Sequence, residues 1–121
     1  MPNLKVLVVE DEFLIASSLI LALSNAGYEV LGPLSSGEEA ISSPKGKEAD
    51  IAIIDINLKG KIDGIRVAAS MRRGKIPAII FMTGYADEVL RTEAFALHPI
   101  AYLVKPVKAN KIINIIQEYR G

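Results

Sequence analysis

Short apolar runs alternate with longer stretches of helical periodicity along the whole chain, and this constrains the fold more than any other feature. Leu4–Val9 is apolar apart from Lys5, the mark of a strand buried on both faces. A helical pattern runs from about Glu12 to Ala26 and stops at Gly27. Glu29–Leu31 reads as a short strand closed by Gly32-Pro33, and a brief helix starts near Ser36, ended by Pro44 and Gly46. The alternation continues with a strand at Asp50–Ile54, a helix at Gly64–Arg73, a strand at Pro77–Met82 and a helix at Asp87–Leu97. A fifth strand at Ala101–Val104 and a fifth helix at Lys108–Arg120 complete it.

Five strands alternating with five helices imply a parallel sheet with helices on both faces. A closed barrel of such units needs about 250 residues, so 121 residues favour an open α/β sheet. The expected fold is flavodoxin-like and doubly wound, five-stranded, with strand order 2-1-3-4-5. One domain spanning residues 1–121 is expected, with no second domain in this chain. Lys plus Arg equals Asp plus Glu at 14 each, which lacks the basic excess of a general nucleic-acid binder. Without cysteine there is no disulfide framework and no thiolate chemistry. The first helical region is broken by Ser17, Ser18, Ser24 and Asn25, which argues against a membrane span. A soluble cytoplasmic protein is the expectation.

In an open parallel sheet, ligands gather at the carboxyl ends of the strands. Strand one is followed by Glu10-Asp11-Glu12, and strand three runs into Asp55. Strand four gives way to Thr83-Gly84 and strand five to Lys105-Pro106, whereas the edge strand ends in Gly-Pro-Leu. Four of five strands thus deliver polar groups to one edge.

Any one of these residues has an ordinary reading. Asp11 or Glu12 alone would cap the first helix, Asp55 would be a turn residue, and Lys105 and Thr83 would be surface and strand residues. Together they mean more. Glu10, Asp11 and Asp55 on neighbouring strands repel one another, and a hard divalent cation with oxygen ligands relieves this, magnesium fitting best. Asp55 is then a candidate nucleophile for a phosphoryl group. Lys105 supplies a compact positive charge and Thr83 a hydroxyl donor.

The motifs Val-Val-Glu-Asp-Glu at 8–12, Ile-Ile-Asp-Ile-Asn-Leu at 53–58, Phe-Met-Thr-Gly at 81–84 and Tyr-Leu-Val-Lys-Pro at 102–106 resemble, in order, those of response regulator receiver domains of two-component systems. The resemblance implies that Asp55 is phosphorylated by a histidine kinase or a histidine phosphotransfer protein. It implies magnesium bound by Asp11 and Asp55 directly, by the Asn57 backbone carbonyl, and by Glu10 through water. Thr83 and Tyr102 would form a conformational switch pair, and Lys105-Pro106 a cis peptide bond. The switched surface would comprise the fourth helix, fifth strand and fifth helix, read by a downstream effector or paired in a homodimer. The resemblance implies a phosphoprotein of signal transduction, part of a phosphorelay, rather than a conventional enzyme. Three departures stand out: Glu10 in place of an Asp, a second helix cut short by Ser42-Ser43-Pro44, and His98-Pro99 where relatives carry a glycine turn.

Leu14, Ser17, Ser18, Leu21 and Asn25 share one stripe of the first helix. Leu14 and Leu21 on this polar stripe read either as a docking patch for the phosphodonor or as ordinary surface leucines. Among rival functions, a phosphate-loop nucleotide site at Gly32 and Gly37 fails because Glu38 follows where a Lys is needed. A magnesium-dependent phosphohydrolase with an aspartate nucleophile is the stronger alternative, but Asn57 stands where such enzymes carry a second acid. Few aromatics and no phosphate loop argue against flavin. A receiver-like interaction module that is never phosphorylated is the remaining alternative.

Overall fold

The computed structural model describes residues 3–74, 77–85 and 87–120. They form, in order, β1 (Lys5–Val9), α1 (Phe13–Asn25), β2 (Glu29–Leu34), α2 (Gly37–Ser42), α3 (Lys45–Glu48) and β3 (Ile51–Asp55). α4 (Gly64–Met71), β4 (Ala78–Thr83), α5 (Glu88–Phe95), β5 (Ala101–Val104) and α6 (Ala109–Arg120) follow. The strands make one parallel sheet in the order β2-β1-β3-β4-β5, as the alternation predicts.

The period-2 geometry of a strand explains why the apolar runs are continuous. In β1, Val6 and Val8 face one helical layer, joined by Ile51, Ile53, Ile80 and Met82. Leu7 and Val9 face the other, with Ala52, Ile54, Ile79 and Phe81. The first layer is closed by Leu19 and Leu23 of α1 and Ile112 and Ile116 of α6. The second is closed by Ile65, Val67 and Ala68 of α4 and Ala94 of α5. Each of the larger apolar side chains among these (Val, Leu, Ile, Met, Phe) contributes roughly 1.5–3 kcal/mol relative to exposure.

Three details differ from the sequence expectation. The second helical region is two pieces, α2 and the single turn α3, because Pro44 has no N–H to continue the ladder. β2 does not end at Leu31 but runs on to Leu34, carrying Gly32-Pro33 as a cis peptide with Gly32 at φ 98°. The ladder to β1 is irregular there, and an edge strand is where a proline is tolerated. Thr83 and Asp55 are the last residues of their strands rather than the first residues beyond them. His98 takes φ 52°, the left-handed conformation usually left to glycine. Among the described residues no helix is long and apolar enough to cross a membrane.

Candidate functional site

Register places the site. Val9 pairs with Ile54 and Asp55 with Met82, while Thr83 pairs with Val104. Glu10, Asp55, Thr83 and Lys105 therefore stand at successive carboxyl ends of four adjoining strands. The buried polar side chains include those of Glu10, Asp55 and Thr83, each no more than 2% exposed. Such groups are costly to bury without partners.

Capping does not account for the acids. Glu12 precedes α1 in the capping position but makes no side-chain cap hydrogen bond, in contrast to α2, α4 and α5, which Ser36, Asp63 and Asp87 cap. Asp11 Oδ2 instead accepts from the Lys59 amide at 3.0 Å, across the sheet end. Glu10 Oε2 accepts from the Glu12 amide at 3.1 Å, and Asp55 Oδ1 from the Asn57 amide at 3.0 Å. Backbone donors thus orient all three carboxylates. One ligand oxygen from each of Glu10, Asp11 and Asp55 lies within 4.8 Å of the others.

Lys105 Nζ sits 2.8 Å from Glu10 Oε1 and 3.2 Å from Asp55 Oδ2. The Lys105-Pro106 bond is cis, as the resemblance implies. Burial pushes the Glu10 carboxyl up to about 7, against the opposing pull of Lys105 and the Glu12 amide and with added repulsion from Asp55. Burial would lower Lys105, but Glu10 and Asp55 outweigh it and hold the ammonium above its ordinary range. A raised acid beside a raised base looks inconsistent for a salt bridge. Burial of Glu10 outweighs the pull of an ammonium that it shares with Asp55, while both carboxylates act on that one ammonium. Glu10 Oε1 has that ion pair but no partner with hydrogen-bond geometry.

The donor set tests whether magnesium fits. Three carboxylates face one ammonium, so a divalent cation balances the formal charge. All the available donors are hard oxygens, and one from each of the three carboxylates lies within 4.8 Å of the others. Magnesium suits such a set.

The remaining expected residues fall into two groups. Thr83 Oγ1 lies 2.9 Å from Asn57 Oδ1 and 3.1 Å from the Tyr85 carbonyl. Tyr102 is half-buried one strand over, its ring centroid 5.4 Å from that of Phe95, and Arg91 covers the Phe95 ring at 4.9 Å. Leu14 and Leu21 are 80% and 63% exposed. Leu14 lines a groove of about 520 Å³ with Ile15, Ser18, Lys105, Pro106 and Val107, and Leu21 lies outside it.

Sequence reasoning missed two residues. Gly64 opens α4 directly against the end of β3: a Cβ there would overlap the Asp55 carbonyl oxygen and lie 2.8 Å from Ile54 Cγ2. An Asp-Gly pair at a helix start after β3 was the available signal. The Asn57 side chain, which the sequence marks only as an amide in place of a second acid, ties the segment after β3 to the end of β4.

Residues 6–117 match the response regulator receiver domain family. The chain is 36% identical over 118 residues to the positive alginate biosynthesis regulatory protein of Pseudomonas aeruginosa, covering 95% of this chain and 46% of that protein. It is 32% identical to the transcriptional regulatory protein PdtaR of Mycobacterium tuberculosis, covering 93% and 55%. The chain therefore spans about half the length of these curated relatives. Among solved structures, the signal receiver domain of a modulated diguanylate cyclase from Desulfovibrio desulfuricans superposes with a TM-score of 0.87 at 38% identity, covering 97% of this chain and 93% of that one. A CheY-like receiver domain protein from Methanospirillum hungatei shares the fold at TM-score 0.87 and 24% identity, covering 98% and 94%. Family match, sheet order and the clustered acids at the strand ends agree, and the chain belongs to the response regulator receiver domains of two-component signal transduction, signalling modules rather than conventional enzymes.

Proposed function

We propose that Asp55 accepts a phosphoryl group from a phosphohistidine of a cognate histidine kinase or phosphotransfer protein, with magnesium held by Glu10, Asp11, Asp55 and the Asn57 carbonyl. The observation that carries this reading is the single ammonium of Lys105 shared between Asp55 and Glu10 beside a third carboxylate. An Asp55 carboxylate oxygen forms the new bond to phosphorus, the phosphorus–nitrogen bond of the donor breaks, and the freed imidazole takes up a proton. Magnesium, when bound, neutralises charge on the transferring oxygens. Lys105 holds Asp55 in place and offers its ammonium to a phosphoryl oxygen, and the Thr83 hydroxyl is a donor for another. Position 57 bears an amide, which supplies no general acid for hydrolysing other phosphate esters. The direct test is exposure to magnesium and acetyl phosphate followed by intact mass measurement.

Magnesium binding should also be visible without phosphorylation. A ligand that binds only the folded state at one hundred times its dissociation constant stabilises by about 2.7 kcal/mol. Saturating magnesium is expected to raise the thermal midpoint, and an Asp11→Asn, Glu10→Gln double variant to abolish the rise. An equal rise in that variant would remove the acidic cluster as the metal site.

The groove between α1 and the segment after β5 borders Lys105 and supports docking of the phosphodonor there. Since Leu14 lines the groove and Leu21 does not, Leu14→Asp should slow transfer from the cognate donor about tenfold, the effect of losing one buried apolar contact. Leu21→Asp should slow it less, and both should leave acetyl phosphate reactivity unchanged. Equal rates for Leu14→Asp and wild type with the protein donor would place docking elsewhere. Thr83 and Tyr102 form the proposed switch pair, whose output surface is α5, β5 and α6, open to an effector or a second copy.

A further inference from the structure

We propose that the side-chain amide of Asn57 is a latch that holds Thr83 and the segment after β4 in their unphosphorylated arrangement, and so sets how readily the domain switches. Asn57 Oδ1 accepts from the Gly84 backbone amide at 2.8 Å and from Thr83 Oγ1 at 2.9 Å. The Gly84 N–H can only donate, so the oxygen of the amide must face β4. The Thr83 hydroxyl has one proton for two acceptors, Asn57 Oδ1 and the Tyr85 carbonyl, while it accepts from the Tyr85 amide at 3.3 Å. Thr83 is 1% exposed, so bulk water is no ready substitute for these partners.

A hydroxyl with one proton cannot donate to the latch and to a phosphoryl oxygen on Asp55 at once. The switch therefore withdraws the Thr83 proton shared between Asn57 Oδ1 and the Tyr85 carbonyl, and the affinity for anything that mimics the phosphoryl group is reduced by the stability of the latched state. Asn57 acts through Thr83 and is a positioning residue. This inference rests on the reading of Asp55 as phosphoacceptor.

The test has two arms on the whole chain. In the first, amide hydrogen exchange is measured without metal or phosphodonor. Asn57→Ala is expected to accelerate exchange at Gly84 severalfold, while Asn57→Asp, which keeps an acceptor oxygen, retains protection, and amides of Ile53 and Ile80 in the central strands report that the fold is intact. In the second, beryllofluoride with magnesium serves as the phosphoryl mimic. Asn57→Ala is expected to bind it roughly three- to tenfold more tightly than wild type, the range set by one net hydrogen bond. In a Thr83→Val background that gain should shrink, a coupling that a merely structural role for Asn57 would not produce. Unchanged Gly84 exchange, or unchanged or weaker beryllofluoride binding by Asn57→Ala where wild type binds, overturns the latch alone. Failure of wild type to bind overturns the phosphoacceptor reading and the latch with it.

Discussion

Wild-type protein incubated with magnesium and acetyl phosphate is expected to gain the mass of one acid-labile phosphoryl group, and Asp55→Asn to gain none. Asn preserves the volume of the side chain and an oxygen for the Asn57 amide, which bonds Asp55 Oδ1 at 3.0 Å. It removes the charged nucleophile and one arm of the Lys105 pairing. Lys105 keeps Glu10 at 2.8 Å, so its ammonium is not left buried without a counter-charge, the circumstance that makes breaking a buried pair destabilising. The variant should therefore fold, and a loss of labelling reports chemistry rather than unfolding. Equal phosphoryl incorporation by folded Asp55→Asn would falsify the assignment of this residue. The same variant should also bind magnesium more weakly, because one of the three carboxylates is gone.

Gly64→Ala is expected to destabilise the domain by about 3 kcal/mol, at the upper end of the range for overpacking, and to slow phosphorylation as well. The added methyl would overlap the Asp55 carbonyl oxygen and crowd the Asp55 carbonyl carbon and Ile54 Cγ2, both 2.8 Å away. Backbone cannot rotate aside as a side chain does. The start of α4 has little freedom to retreat, since Gly64 N donates to the Ile56 carbonyl at 3.0 Å and Asp63 caps the helix through the Arg66 amide at 2.9 Å. Relief must come from moving the end of β3, which carries Asp55. Gly74→Ala is the control, because nothing lies within 4 Å of a Cβ at that position. Chemical denaturation of the two variants measures the difference. A Gly64→Ala protein as stable as Gly74→Ala would show that the contact yields without strain.

The sheet and the core were legible because their signals are periodic and local. Apolar runs such as Val6–Val9 and Ile51–Ile54 mark strands covered on both faces, and the strands fall in that pattern. The groups at the strand ends followed from topology, since a parallel sheet places every carboxyl end on one edge. Boundaries were less legible where a residue's local preference is overridden. Gly32-Pro33 reads as a stop, yet an edge strand exposes one side of its backbone and has no second neighbour to lose, so β2 continues through it. Pro44 divides what a composition reading takes as one short helix. Leu14 and Leu21 occupy the same stripe at equal standing in the sequence, but only one lies against the chain that returns after β5.

Residue types and their order along the chain determined the α/β class, the strand order and the edge at which Glu10, Asp11, Asp55, Thr83 and Lys105 meet. Tertiary structure alone decided how those groups divide one another's charge and hydrogen bonds. It gives Lys105 to two carboxylates at once, draws Asp11 to the Lys59 amide instead of the helix start, and sets Asn57 against Thr83 and Gly84. It also seats Gly64 on the Asp55 backbone. The reason is physical: periodicity reports which face of an element is buried, whereas a hydrogen bond or a steric overlap depends on separations of a few tenths of an ångström between segments far apart in sequence.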